Sequence, residues 1–242
     1  MQTSLGPAES HSLEAGGRTN NAMSRESKIM LSDVTDSWTP IALSQDLPPA
    51  TAMPARISAG PIALWRSQSG RVAASADRCP HRGMRLSHGF VRGEALSCIY
   101  HGWSYARAGH CLRIPAHPGL TPPETIRVAT YPVEEAGGII WVAEGDPAGK
   151  PPLFEGFVPL RSLTVMASAS AVALAADAKA GVWQSPEGLA CRLLLASLGE
   201  GETLVHVLVP VDSKPAGRIA ASRAAEALRR RAEEAEAKGI GP

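Results

Sequence analysis

This sequence has no excess of charge of one sign and no long apolar run. Its 24 Lys and Arg residues balance 23 Asp and Glu residues, which leaves a net charge of +1. That balance gives no general attraction to nucleic acid or to an anionic membrane surface. No apolar run approaches the roughly 18 residues that a bilayer-spanning helix needs. We therefore expect neither a nucleic-acid-binding protein nor a membrane protein.

Cysteine is also sparse, with four residues in a chain of 242. So few cysteines do not indicate a disulfide framework, and the N-terminus lacks the basic segment and apolar core of a signal peptide. A reducing, cytoplasmic setting is therefore expected. Residues 1–33 are rich in Ser, Gly, Asn and charge, which predicts a disordered leader with Met23 and Met30 as alternative start sites.

Short apolar runs separated by Pro, Gly and Ser begin at Trp38. The runs WTPIAL, PIALWR, RVAASA and GGIIWVAE have the length and spacing of strands in an all-β sandwich or barrel. We place a first domain at residues 34–147. Several glycines interrupt the stretch 79–109, so its reactive side chains are expected on loops.

The remaining residues, 148–242, predict a small α+β domain. GDPAGKPP at 145–152 has the composition of a linker. LACRLLLASL and TLVHVLVPV, joined by a Gly-containing segment, predict a hairpin. Residues 218–238 are rich in Ala, Arg and Glu without internal Gly or Pro, which favours a terminal helix. The fold class predicted for the whole chain is mainly β with a C-terminal helix.

The stretch CPHRGMRLSHGFVRGEALSCIYHGW at 79–103 concentrates the reactive side chains of the chain. It holds two cysteine–histidine pairs, Cys79 with His81 and Cys98 with His101, with sixteen residues between the pairs. Two thiolates and two imidazoles indicate a metal centre. One candidate is a structural zinc site with two Cys and two His ligands. Common zinc modules, however, pair cysteine with cysteine and histidine with histidine.

Two mixed pairs suit a binuclear iron centre, with both thiolates on one iron and both imidazoles on the other. Each loop then reaches both irons across two bridging sulfides, as in a Rieske [2Fe–2S] centre. Neutral imidazoles leave such a cluster less negative than thiolates do. Its reduction potential is therefore higher, about −150 to +300 mV against about −400 mV in plant-type ferredoxins.

The motif CPHRG followed by CIYHGW resembles the cluster-binding signature of Rieske non-haem iron oxygenases of the ring-hydroxylating and demethylating type. The flanking segments LSHG, AGHCLRIPAHP and YPVEEAGGIIWV agree with it, and the resemblance spans roughly residues 36–147. It implies one [2Fe–2S] cluster per chain, with four ligands: Cys79, His81, Cys98 and His101. It implies that five neighbouring residues shape the loops: Arg82, Gly83, Tyr100, Gly102 and Trp103. Trp103 is expected to pack beside His101.

The other histidines and cysteines have simpler interpretations. Three histidines are expected as ordinary loop residues: His88, His110 and His117. Two cysteines are expected as small buried side chains: Cys111 and Cys191. His206 alternates with Val205 and Val207 in a predicted strand, which would turn it toward solvent or a partner subunit.

Oxygenases of this family follow the Rieske domain with a second domain, which holds one Fe(II) between two histidines and a carboxylate. After His117 this sequence has one histidine, His206. GETLVHVLVPVDS and the terminal helix resemble the end of that catalytic domain. The expectation is therefore a reduced relative of it that holds no mononuclear iron.

Several functions remain open at this point. The first is the electron-transfer subunit of a multi-component Rieske oxygenase, and we expect such a subunit to form an oligomer. An NAD(P)H-dependent reductase or a ferredoxin would load it, and it would pass electrons to a mononuclear iron on a partner oxygenase subunit. The second is a stand-alone Rieske ferredoxin with a C-terminal docking domain. The others are a self-sufficient oxygenase with atypical iron ligands and a zinc-bound structural module.

Overall fold

The computed structural model describes residues 38–178, 181–199 and 201–239. The leader predicted at residues 1–33 lies outside these ranges. The described chain forms two lobes of antiparallel sheet. The N-terminal lobe contains short strands alone with two turns of 3₁₀ helix, and the C-terminal lobe adds two α-helices to its sheet.

The strands of the N-terminal lobe are β1 (Trp38–Leu43), β2 (Thr51–Ile57), β3 (Gly60–Arg66), β4 (Val72–Ala76), β5 (Phe90–Arg92), β6 (Ala95–Ser97), β7 (Ser104–Ala106), β8 (Cys111–Arg113), β9 (Thr130–Tyr131), β10 (Val133–Ala136) and β11 (Ile139–Ala143). They form three sheets with the strand orders β1-β11-β10, β2-β3-β4-β9 and β5-β6-β7-β8. The predicted runs therefore do form strands, and the mainly β fold class is confirmed.

Strand β3 lies between two apolar cores of this lobe. Ile62 and Leu64 face a core shared with β1 and β11, whereas Ala63 and Trp65 face a core beneath the cysteine–histidine loops. This alternation follows from the two-residue period of a strand. All four side chains are buried, so β3 forms the packed base beneath the candidate metal centre.

The C-terminal lobe is built from β12 (Phe157–Val165), α1 (Ala169–Ala176), β13 (Val182–Gln184), β14 (Ala190–Gly199), β15 (Glu202–Pro210) and α2 (Pro215–Ala237). Its sheet has the order β12-β15-β14-β13, so the predicted hairpin is β14–β15. The terminal helix predicted at 218–238 begins earlier, at Pro215, because proline suits the first helical turn. No helix in the described ranges is long and apolar enough to cross a membrane.

Both helices pack on one face of this sheet. Val205, Val207 and Val209 on β15 join one buried cluster with Ala225 and Leu228 on α2. The buried residues of α2 recur at helical spacing, which gives the helix one apolar face and one charged face. The opposite face of the sheet packs on the N-terminal lobe.

The two lobes share an apolar core. Trp38, Leu43 and Trp141 from the N-terminal lobe form one cluster with Leu194 and Leu208 from the C-terminal lobe. The connecting residues 145–152 contain no strand or helix, as expected of a linker. The division of the chain into domains at residue 147 stays a prediction.

His206 lies inside this boundary, so its predicted exposure is wrong. Val205 and Val207 face the helices, and His206 therefore faces the N-terminal lobe, which covers it completely. Its Nε2 lies 3.2 Å from the carbonyl oxygen of Pro40, and its Nδ1 lies 2.8 Å from the hydroxyl of Ser162. Burial lowers the pKa of His206 to about 4, against the opposing effect of the hydrogen bond to Pro40. The ring is therefore neutral, with both nitrogens satisfied.

Candidate metal centre

The first half of the cysteine–histidine motif forms a loop that closes on its own backbone. Cys79 donates its N–H to the carbonyl of Met84 at 2.8 Å, and its carbonyl accepts from the N–H of Gly83 at 2.8 Å. Gly83 has a φ of +73°, a left-handed conformation that favours glycine. The loop therefore presents the Cys79 and His81 side chains from a fixed turn.

The second half of the motif repeats the same scheme between β6 and β7. Cys98 donates its N–H to the carbonyl of Trp103 at 2.9 Å, and its carbonyl accepts from the N–H of Gly102 at 2.9 Å. Gly102 has a φ of +69°. The two cysteines thus occupy equivalent positions in two similar loops, as predicted for ligand pairs on loops.

The two loops separate sulfur from nitrogen. Cys79 and Cys98 are 3% and 2% exposed and belong to the buried core above β3. Neither is in a disulfide. His81 and His101 lie nearer the surface with their ring centroids 4.7 Å apart and the rings edge to face. The arrangement is two thiols inside and two imidazoles outside.

An aromatic ring packs on each histidine, but not as the sequence suggested. Trp103, expected beside His101, stacks on His81 instead, with ring centroids 4.4 Å apart and planes 4° from parallel. Tyr100 lies next to His101, with ring centroids 3.8 Å apart. The second loop therefore supplies the ring that orients the histidine of the first loop.

Hydrogen-bond donors face the two sulfurs. The hydroxyl of Tyr105 lies 3.1 Å from the Sγ of Cys79. Burial raises the pKa of Tyr105, so its hydroxyl stays protonated and can donate to a thiolate. Burial also raises the pKa of the Cys98 thiol, whereas the backbone N–H groups of Tyr100 and His101 lower it. Sequence reasoning missed Tyr105, although it lies within the segment YHGWSY. A buried thiolate needs a hydrogen-bond donor, and that need was the signal that could have identified this tyrosine.

The surroundings of His81 favour the neutral form of its imidazole. Desolvation lowers its pKa, and the charges of His101 and Arg82 act in the same direction. A neutral imidazole is the form that binds a metal.

These residues fit a Rieske [2Fe–2S] cluster. The four candidate ligands line one small pocket, with Arg82, Met84, Tyr100 and Trp103 around them. In the part of the chain that the structure describes, no three Cys, His, Asp or Glu side chains lie close enough together to hold a single metal ion. A binuclear cluster needs only two protein ligands on each iron, and a buried pair of cysteines beside an outer pair of histidines provides them.

The remaining loop histidines and the remaining cysteines have the exposure expected of them, although Cys111 shares the buried cluster of Cys79 and Cys98. Three histidines are exposed: His88, His110 and His117. Cys111 and Cys191 are buried and free, and burial raises the pKa of both thiols, that of Cys191 to about 11. A high thiol pKa makes these two cysteines poor nucleophiles.

A family model described as the Rieske [2Fe-2S] domain matches residues 37–132. The oxidoreductase NdmD of Pseudomonas putida is 44% identical over 117 residues, which cover 48% of this chain and 20% of that protein. The phenoxybenzoate dioxygenase subunit alpha of Ectopseudomonas oleovorans is 39% identical over 117 residues, which cover 48% of this chain and 28% of that protein. The match thus spans between a fifth and a third of the length of these relatives.

The similarity of fold extends beyond the matched domain. A crystal structure of dicamba monooxygenase bound to dicamba superimposes with a TM-score of 0.61. It covers 88% of this chain and 91% of that chain at 21% sequence identity. At this identity the likeness concerns the fold alone, and it includes the C-terminal lobe.

Proposed function

We propose that this chain, whose residues 37–132 form a Rieske [2Fe–2S] domain, is the electron-transfer component of a Rieske oxygenase system. In this proposal Cys79, His81, Cys98 and His101 hold the cluster. A reductase or ferredoxin reduces it, and the electron passes to a mononuclear iron on a partner oxygenase subunit. The bound cluster supplies one-electron redox chemistry.

The separation of buried thiols from outer imidazoles is the observation that carries the proposal. Cys79 and Cys98 lie in an apolar core with a phenol and backbone N–H groups directed at their sulfurs, which suits thiolates. His101 is exposed and His81 is half-buried, so the histidine side is the one that a redox partner can approach. The protein thereby shields the sulfur side from water and leaves the histidine side open.

The state of His206 supports placing the mononuclear iron on another polypeptide. It is the one histidine that follows His117, and the shared core of the two lobes surrounds it. Ser162 and Pro40 occupy its two nitrogens. A metal-binding imidazole needs one nitrogen free for the metal. The relative named as the alpha subunit of phenoxybenzoate dioxygenase supports the idea of a partner.

Iron analysis and single-turnover assays test the proposal. After anaerobic reconstitution with iron and sulfide, the purified chain should contain two irons and two acid-labile sulfides and give a Rieske-type EPR spectrum when reduced. With a reductase and NADH it should take up one electron per chain and form no product. A partner subunit that carries mononuclear iron should restore product formation.

Two outcomes would contradict this proposal in different ways. One zinc per chain with no visible absorbance after reconstitution would exclude a Rieske cluster. Three irons per chain, with hydroxylated or demethylated product in the absence of any partner, would instead identify a self-sufficient oxygenase. In that second case the C-terminal lobe would be catalytic despite its single histidine.

A further inference from the structure

The part of the N-terminal lobe that carries the two loops is cationic, although the chain as a whole is nearly neutral. Between residues 78 and 123 the sequence has six arginines, no lysine and one carboxylate. The arginines are Arg78, Arg82, Arg85, Arg92, Arg107 and Arg113. The carboxylate, Glu94, is bound by Arg71 at 2.8 Å, so its charge is already balanced.

The sheet topology separates these charges between its two ends. The loop at 98–103 joins β6 to β7, so the turns between β5 and β6 and between β7 and β8 lie at the opposite end. Arg92, Glu94 and Arg107 therefore lie at the end of the sheet away from the loop at 98–103. Arg113 ends β8 opposite Ser104, which directly follows the second loop.

Arg85 lines a separate pocket with Asp77 and Glu202. Three exposed arginines thus border the two loops, and we call them the cationic collar: Arg78, Arg82 and Arg113. Arg82 lines the cavity between the candidate ligands. The guanidinium of Arg78 covers the first loop, since a Cβ added to Gly83 would lie 3.4 Å from its Nε. Within the described ranges, none of the three forms an ion pair with a carboxylate.

Two apolar side chains protrude inside the collar. Ile99 and Tyr100, both in the second loop, are 56% and 55% exposed. Tyr100 packs on His101, so this apolar spot directly adjoins the histidine side of the candidate cluster. The surface combines a small apolar centre with a rim of positive charge. The carboxylate nearest to it in sequence, Asp77, is buried and accepts hydrogen bonds from Ser87.

We propose that this surface docks the protein that donates the electron, and that this donor presents carboxylates around its own redox centre. The proposal rests on the proposed function above. The positive charge of the collar favours a partner whose docking surface is negatively charged, because surfaces of opposite charge attract each other during encounter.

The size of the apolar centre favours a transient donor over a permanent subunit. Stable subunit interfaces are large and apolar, whereas electron-transfer encounters are small and depend on charge. Two exposed apolar residues within three arginines match the second kind. In each encounter the donor loses one electron and the cluster gains it, and no covalent bond forms or breaks.

Charge reversal tests this surface. The probe is a strongly acidic plant-type ferredoxin, reduced for stopped-flow measurement of electron transfer and oxidised for direct measurement of its dissociation constant. We expect Arg78→Glu/Arg113→Glu to slow the bimolecular rate at low salt by about tenfold or more and to weaken binding similarly. The matched control, Arg92→Glu/Arg107→Glu, makes the same charge change at the other end of the sheet. It should alter both quantities less than the collar variant at every salt concentration, and less than about twofold at about 0.15 M, where the Debye length is about 8 Å. Raising the salt concentration should slow the wild type and bring it toward the collar variant.

Controls keep this test separate from that of the proposed function. Reduction by dithionite and the EPR spectrum should be unchanged in both double variants, which shows that the cluster is intact. A wild-type protein that binds no cluster would contradict the proposed function itself, whatever the role of the collar. If both variants slow equally, or if the rate is independent of salt, the collar is not a docking site. An unchanged donor rate with impaired delivery to an oxygenase subunit would assign the surface to the acceptor and overturn the proposal.

Discussion

The indole of Trp103 lies flat against the imidazole of His81, with the ring centroids 4.4 Å apart. Each residue belongs to a different loop, so the stack ties the two halves of the site together. An aromatic contact of this kind stabilises by about 1 kcal/mol beyond the area it buries. The position of His81 therefore depends on the second loop as well as on its own.

Loss of this stack should loosen His81 without moving the cysteines. We expect Trp103→Ala to lose visible absorbance about fivefold faster than the wild type in the presence of an iron chelator, since about 1 kcal/mol of support is gone. Trp103→Phe retains a ring and should lie between the two. Identical decay in all three proteins would mean that the indole does not hold the histidine.

The two candidate sulfur ligands can be separated from the other buried cysteine of the same core. Cys79→Ser or Cys98→Ser should lower bound iron and labile sulfide at least about tenfold, because even supporting residues of metal sites contribute that much to affinity. Cys111→Ser is the matched control, since Cys111 is buried in the same cluster of side chains but its sulfur contacts the carbonyl of Arg113. Equal losses in all three variants would indicate damage to the core rather than loss of ligands.

Replacement of an imidazole by a thiolate should lower the reduction potential. A cysteine at position 81 or 101 adds negative charge to the cluster, so a variant that still assembles, His81→Cys or His101→Cys, should shift by about 100 mV or more toward plant-type values. Protein-film voltammetry would measure the shift. The exposed His88 offers the control His88→Cys, which should keep the wild-type potential. A potential unaffected by either exchange would show that these histidines are not ligands.

Tyr105 should raise the potential through its hydroxyl. A phenol that donates to the sulfur of Cys79 stabilises the more negative, reduced cluster, so Tyr105→Phe should lower the potential by on the order of 50 mV. The ring remains, so cluster content should not change. Tyr131→Phe, in another core of the lobe, is the control. A potential raised or unchanged in Tyr105→Phe would show that the hydroxyl does not donate to the sulfur.

His206 should make the stability of the fold depend on pH. Its folded-state pKa, about 4, lies below the ordinary value of 6.5, so the unfolded chain binds the proton more readily. The neutral ring makes its full contribution to the free energy of unfolding above about pH 6.5. About 3 kcal/mol of that free energy is lost as the pH falls toward 4. Denaturant titrations of the wild type and of His206→Gln at several pH values would measure it. The curve of the variant should be flatter over this interval, whereas that of His88→Gln should follow the wild type.

The features of the site that were predictable from sequence are those that depend on local chemistry. Ligand type and spacing are properties of short segments, so the two cysteine–histidine pairs and their place on loops could be inferred directly. The partner of Trp103 could not, because the stack joins two loops that meet only in the folded chain. Alternation along β15 turned His206 away from the helices, but the sequence does not say that β1 covers that face.

The core shared by Trp141 and Leu208 couples substitutions in one lobe to substitutions in the other. Each of these side chains is packed by residues from the other lobe, so a change of volume on one side has to be accommodated on the other. Core residues of the two lobes therefore cannot be substituted independently. Neither lobe can be exchanged for an unrelated domain unless this shared core is repacked. The C-terminal lobe would therefore be retained for the support it gives to its neighbour even in a lineage where it performs no chemistry.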